Sequence, residues 1–99
     1  MEESGLTAES LEKASELLKA IAHPVRISII ECFEKEQRLT VTQIYNMLEI
    51  GQATVSHHLG IMRDKRVLSA KREGKNIYYS LKNDSIKLLL NCIKNCCNT

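Results

Sequence analysis

The sequence predicts a mainly α-helical single domain of five helices, with one two-stranded β-hairpin set before the last of them. Apolar residues recur at three- and four-residue spacing through several segments, two neighbouring segments open with helix caps, and one late stretch alternates around a glycine turn. The single proline and four glycines, with no repeat or low-complexity tract, place residues 1–99 in one continuous domain. At this length roughly 60 to 70% of the unfolded chain's surface can be buried, so a lone monomer is marginal and size alone makes a dimer plausible.

The first helix, 8–22, is capped by Thr7 and carries Leu11, Ala14, Leu17, Leu18 and Ile21 at helical spacing, with Glu9 and Glu12 at its positive end. Pro24 fits the first turn of a second helix, 24–34, because its missing N–H has no partner there, and Val25, Ile29, Ile30 and Phe33 form its apolar stripe. Thr40 and Gln43 form a capping box and Leu39 and Ile44 a hydrophobic staple around it, which starts a short third helix, 41–48. Ile50 and Val55 staple a fourth helix, 52–65, capped by Gly51. Two capped helices about three residues apart make a helix-turn-helix.

Val67–Arg72 and Ile77–Lys82 read as strands of a hairpin spanning 67–82, with Glu73, Gly74, Lys75 and Asn76 as its turn and a positive φ at Gly74. Asn83 or Asp84 caps a fifth helix, 84–97, whose Ile86, Leu89, Leu90 and Ile93 give a terminal element an apolar stripe in need of a partner.

The net charge is only +2, but it is sorted along the chain. Residues 1–16 hold five acids and one base, whereas residues 63–82 hold seven bases against Asp64 and Glu73. A late basic block of this kind is the footprint of a phosphate-binding surface. There is no phosphate-binding glycine loop, no nucleophile with a paired base and no carboxylate pair at a plausible site, so the chain is not expected to be an enzyme. No apolar run reaches membrane-spanning length and the N-terminus is acidic, so a cytoplasmic protein with no membrane partner is expected.

With Val55, Leu59 and Met62 on the inner face of the fourth helix, the opposite face carries Ala53, Ser56, His57 and Gly60, flanked by Gln52 and Arg63. Small residues let such a helix enter a major groove, where Gln52 and His57 can bond base edges and Ser56 a base or a phosphate. Lys71, Arg72, Lys75 and Asn76 at the hairpin tip can meet phosphates or an adjacent minor groove. Taken singly, each suits an ordinary solvent face; together with a capped turn and a basic hairpin they suit double-stranded DNA. His57 and His58 point about 100° apart, so they do not ligate one metal together, and His58 is expected to pack inward.

The stretches "QATVSHHLGIMRDKRVL", "KREGKNIYYSL" and "LLKAIAHPVRISII" resemble the winged-helix core of the ArsR/SmtB family of bacterial repressors over about residues 11–83. The resemblance implies a winged helix-turn-helix, a homodimer built from the first and last helices, an imperfect palindromic operator, and release when an inducer is sensed. By position, Gln52, Thr54, Ser56 and His57 match residues that face DNA in that family, and Lys71 to Asn76 match its wing.

Cys92 and Cys96 lie four apart on one helix face with Cys97 adjacent, a spacing that can offer thiolates to a thiophilic metal or metalloid ion. Cysteine is equally a small buried hydrophobe, and no cofactor is required. The paired thiolates that some members carry in the third helix are absent from "VTQIYNMLEI", and the zinc-binding Asp/His set is unmatched around Asn83 and Ser85. A branch of redox or persulfide sensors, with one cysteine in the second helix and one near the end of the last, is matched to within about one residue by Cys32 with Cys96 or Cys97. A non-sensing winged-helix interaction module is the reading of another class; its mark would be apolar residues on the fourth helix's outer face, where Gln52, Ser56 and His57 stand instead.

Overall fold

The computed structural model describes residues 6–97, leaving residues 1–5 and 98–99 outside the account that follows. Five helices and three short strands run in the order α1 (Ala8–Ile21), α2 (Pro24–Cys32), β1 (Leu39–Thr40), α3 (Val41–Leu48), α4 (Gln52–Asp64), β2 (Leu68–Glu73), β3 (Asn76–Leu81) and α5 (Ser85–Cys97). This is a winged helix-turn-helix.

The caps explain most boundaries. The Thr7 side chain accepts from the Ser10 amide at the head of α1, and the Thr40–Gln43 capping box closes in both directions at the head of α3. The Asn83 side chain accepts from the Ser85 amide at 2.9 Å, so α5 begins one residue later than the apolar pattern alone suggests. α2 stops at Cys32 rather than residue 34, because the amides of Phe33 and Glu34 bond back only three residues and tighten the chain out of the α-helical path. α1 and α4 each end one residue short of expectation.

The turn of the helix-turn-helix unit and the exit from it both pass through left-handed backbone at residues other than glycine. Glu49, after α3, has φ 55°, and Arg66, two residues beyond α4, has φ 65°. Such conformations cost an L-residue roughly 1–2 kcal/mol.

The wing differs from its two-stranded expectation. β1 adds to β3, giving a three-stranded antiparallel sheet in the order β1-β3-β2. A two-residue strand has no periodicity to announce it. The hairpin strands are also shifted: Glu73 pairs with Asn76, so the turn is only Gly74 and Lys75, with Gly74 at φ 63°. Positive φ at the first of two central residues is what a type II′ turn requires.

Phe33, Ile29, Ile30, Ile44, Val55, Leu59, Met62 and Val67 fill the core among α2, α3, α4 and the root of the wing. α1 and α5 contribute less than their stripes promise. Leu11 and Leu18 on α1 are 54% and 53% exposed, and Leu88 on α5 is 65% exposed. The radius of gyration is 14.6 Å, against about 13 Å for a compact domain of this size. Elements project from the body.

Leu59 is fully buried on the inner side of α4, so Leu59→Ala is expected to cost about 2–5 kcal/mol, seen as a lower urea midpoint with little change in slope.

Candidate nucleic-acid interface

α4 is held by its inner face. Val55, Leu59 and Met62, at spacings of four and three, are fully buried, and His58 beside them is 8% exposed. Ala53 and His57 fall opposite by the helical period, with Thr54 and Ser56 at its sides; Gln52 and Arg63, nearer the buried face, stand exposed at the two ends of the helix. No side chain caps the head of α4, where Gly51 takes the cap position. A Cβ built on Gly60 would meet nothing within 4 Å, so that position lies open as well.

In the wing, every residue from Lys71 to Ile77 is exposed. The strand register sorts the side chains between the two faces of the sheet. Lys71 lies opposite Tyr78 and Arg72 opposite Ile77, so the two adjacent bases point to opposite faces while Lys75 occupies the turn. The wing therefore presents positive charge on both faces and at its tip.

Two long-range polar contacts fix these elements, and neither was visible in the sequence. The first lies under α4. Arg26 Nε donates to His58 Nδ1 at 3.1 Å and Arg26 Nη1 to the Ala20 carbonyl at 3.3 Å, which ties α4 to α2 and the end of α1. The His23 ring centroid lies 4.4 Å and that of His57 5.3 Å from His58. The His23 side chain also accepts from the Val25 amide and caps α2. A nitrogen that accepts from Arg26 carries no proton, so the packing requires neutral His58. Burial, reinforced by His23, Arg26 and His57, pushes its pKa below the ordinary imidazole value.

The second contact braces the wing. Arg38 meets Glu73 through two parallel bonds of 2.7 and 2.8 Å, and its guanidinium carbon lies 3.9 Å above the centre of the Tyr78 ring. The bond from Arg38 holds the Glu73 carboxyl below the usual carboxylate range.

The cysteines are divided. Cys32 is buried on α2, where burial, with the neighbouring charge of Glu31, pushes its thiol pKa up. It borders an open cleft of about 680 Å³ together with Gln43, Asn46 and Met47. Cys92, Cys96 and Cys97 are exposed. Among the described residues no three His, Cys, Asp or Glu side chains converge as a metal-holding group. Lys94 reaches Glu34 at 2.7 Å and Glu31 at 3.3 Å, pinning the second half of α5 to the end of α2.

Residues 23–70 match the model of the arsR family of bacterial regulatory proteins. The transcriptional repressor PagR of Bacillus anthracis is 47% identical over 78 residues, which span 79% of this chain and 78% of PagR. The chain belongs to the ArsR family. It is thereby a DNA-binding transcriptional regulator and not an enzyme. The crystal structure of PagR superposes with a TM-score of 0.81 at 42% identity, covering 88% of this chain and 99% of that one. HlyU from Vibrio cholerae superposes with a TM-score of 0.79 at 25% identity, covering 94% of this chain and 100% of that one. A Staphylococcus aureus homolog of the cadmium resistance transcriptional regulatory protein CadC is 32% identical over 76 residues, 77% of this chain and 63% of that protein. The ArsR match includes α3, α4 and the first half of β2, so the α4 surface and the wing root lie inside the family core. No helix among the described residues is long and apolar enough to cross a membrane.

Because folding depresses the His58 pKa, the unfolded chain binds more protons as pH falls through the ordinary histidine value of about 6.5, and this part of the stability is lost on acidification. Thermal melts between about pH 7 and 5 should show a falling midpoint, and His58→Gln should flatten that slope.

Proposed function

We propose that the chain is a repressor that grips duplex DNA as a homodimer in the cytoplasm, with α4 in the major groove and the wing on the flanking backbone. The observation that carries this is the two-sided character of α4, whose inner face is fully buried while Gln52, Ala53, Thr54, Ser56 and His57 stand open together. In this assignment Gln52 and His57 read base edges, Ala53 and Thr54 make close apolar contact, and Ser56 bonds a base or a phosphate. Arg63, Lys71, Arg72, Lys75 and Asn76 hold the backbone and the adjacent minor groove.

Dimerisation is supported by apolar surface left uncovered on α1 and α5. Ile21 of α1 and Ile86, Leu89, Leu90 and Ile93 of α5 line one crevice together with Ile27 and Ile30 of α2, and Leu11, Leu18 and Leu88 remain exposed on α1 and α5. A second copy covering this surface would place two α4 helices about 34 Å apart, one turn of DNA, and so call for an imperfect palindrome.

The inducer is assigned to the exposed thiols. Cys92 and Cys96 are one helical turn apart and accessible, and together they make a two-pronged ligand for a thiophilic metal or metalloid ion. The third ligand, Cys97, would join by movement of the terminal turn, since no preformed group of three exists among the described residues. Binding there would act on α5 and through it on the spacing of the reading helices. A second reading, a redox or persulfide switch using Cys32 with Cys96 or Cys97, draws support from the Lys94 ion pairs that hold α5 against the end of α2. Burial of Cys32 weighs against it, because the attacking species is the thiolate.

His57→Ala or Gln52→Ala should cost about 1–3 kcal/mol on the selected operator and relax preference at particular bases, as read by binding to a panel of substituted operators. Unchanged preference in both variants would remove the major-groove assignment. Leu18→Glu with Leu88→Glu should yield a monomer in sedimentation and weaken operator binding. Cadmium or arsenite should release the wild-type protein from DNA but not the Cys96→Ser variant, whereas Cys32→Ser should still respond; release by a persulfide donor that Cys32→Ser abolishes would instead favour the redox pair.

A further inference from the structure

We infer that Arg38 serves DNA binding without touching DNA: it masks the wing's single carboxylate, so that the hairpin tip meets phosphate as a purely basic surface. The inference rests on the wing being the backbone-contacting element proposed above.

Glu73 is the one acid between Leu68 and Lys82, and it stands at the tip, between Arg72 and the Gly74-Lys75 turn. A bare carboxylate there would repel the phosphates that Lys71, Arg72 and Lys75 are placed to attract. The register shows how it is removed. Leu39 pairs with Tyr79 on one face of the sheet, so Arg38 falls on the other face, with Lys71, Glu73 and Tyr78. From the edge of the sheet the Arg38 side chain crosses the Tyr78 ring and takes both Glu73 oxygens in one fork. The carboxylate is thus drawn back over β3 and both its oxygens are engaged. Arg38 is occupied in turn, with two of its nitrogens bonded and its plane over an aromatic ring, which leaves it poorly disposed to take a phosphate. The pair sums to zero charge.

This arrangement distinguishes a masking role from a direct contact and from a simple brace. A labelled duplex of mixed sequence suffices as the probe, because phosphate contacts are sequence-independent, and anisotropy titrations at several salt concentrations give affinity and salt dependence. Each variant is first checked for an unchanged circular dichroism spectrum. Lys75→Ala should weaken binding and lower the salt slope by about 0.9, as the loss of one phosphate contact requires. Arg38→Gln should weaken binding about threefold at ~0.1 M salt by unmasking Glu73. Glu73→Gln should bind at least as well as wild type, and the double variant Arg38→Gln/Glu73→Gln should return to wild-type affinity. If Arg38→Gln has no effect, or the double variant stays as weak as Arg38→Gln, masking is wrong while the wing assignment stands. If Lys75→Ala binds like wild type, the wing assignment itself fails, and masking fails with it.

Discussion

Burial of one side of α4 is the constraint on which the rest of the molecule depends. Val55, Leu59 and Met62 have no solvent exposure, and they seat α4 against the core formed by α2, α3 and the wing root. Once those three positions are committed inward, the helical period turns His57 outward and Ser56 to the flank, while Gln52 stands exposed because it opens the helix. One face of the helix thereby carries stability and the other is left free for the reading role proposed for it. His58 falls between them, and its contact with Arg26 turns a polar residue at the boundary into a tie to α2.

A third strand and one charged pair brace the wing. Seven consecutive exposed residues, from Lys71 to Ile77, would make a weakly held ribbon if they stood alone, since isolated two-stranded hairpins are marginal in water. β1 supplies a third strand at the root, and Arg38 reaches from beside it to the tip across Tyr78. The exposed Arg38–Glu73 pair adds little to global stability. Its value is local, in setting where a charge points.

What was legible in the sequence was local. The capping box at Thr40 and Gln43 is a four-residue signal, and α3 begins and ends where it and the apolar period place it. The outward set on α4 followed from choosing Val55 as its buried centre. Contacts between distant residues were opaque: Arg38 and Glu73 are 35 positions apart and Arg26 and His58 are 32 apart, and nothing in either local pattern couples them. The end of α2 and the ends of the hairpin strands were misjudged by one or two residues, because apolar periodicity says little about where backbone hydrogen bonds change type, whereas the register that sets Arg72 opposite Ile77 was as expected. The stripe on α1 was read correctly as apolar, but within one chain Leu11 and Leu18 remain uncovered.

Glu49 and Arg66 bracket the reading helix with left-handed backbone that glycine would adopt without strain. Glycine, though, would also admit other paths for the chain. A side chain at either joint disfavours the left-handed path, so that path is held by the packing on both sides of it rather than chosen by the residue. The strain is offset by the burial beneath the helix, so loosening that core would free both joints and with them the bearing of the helix they flank.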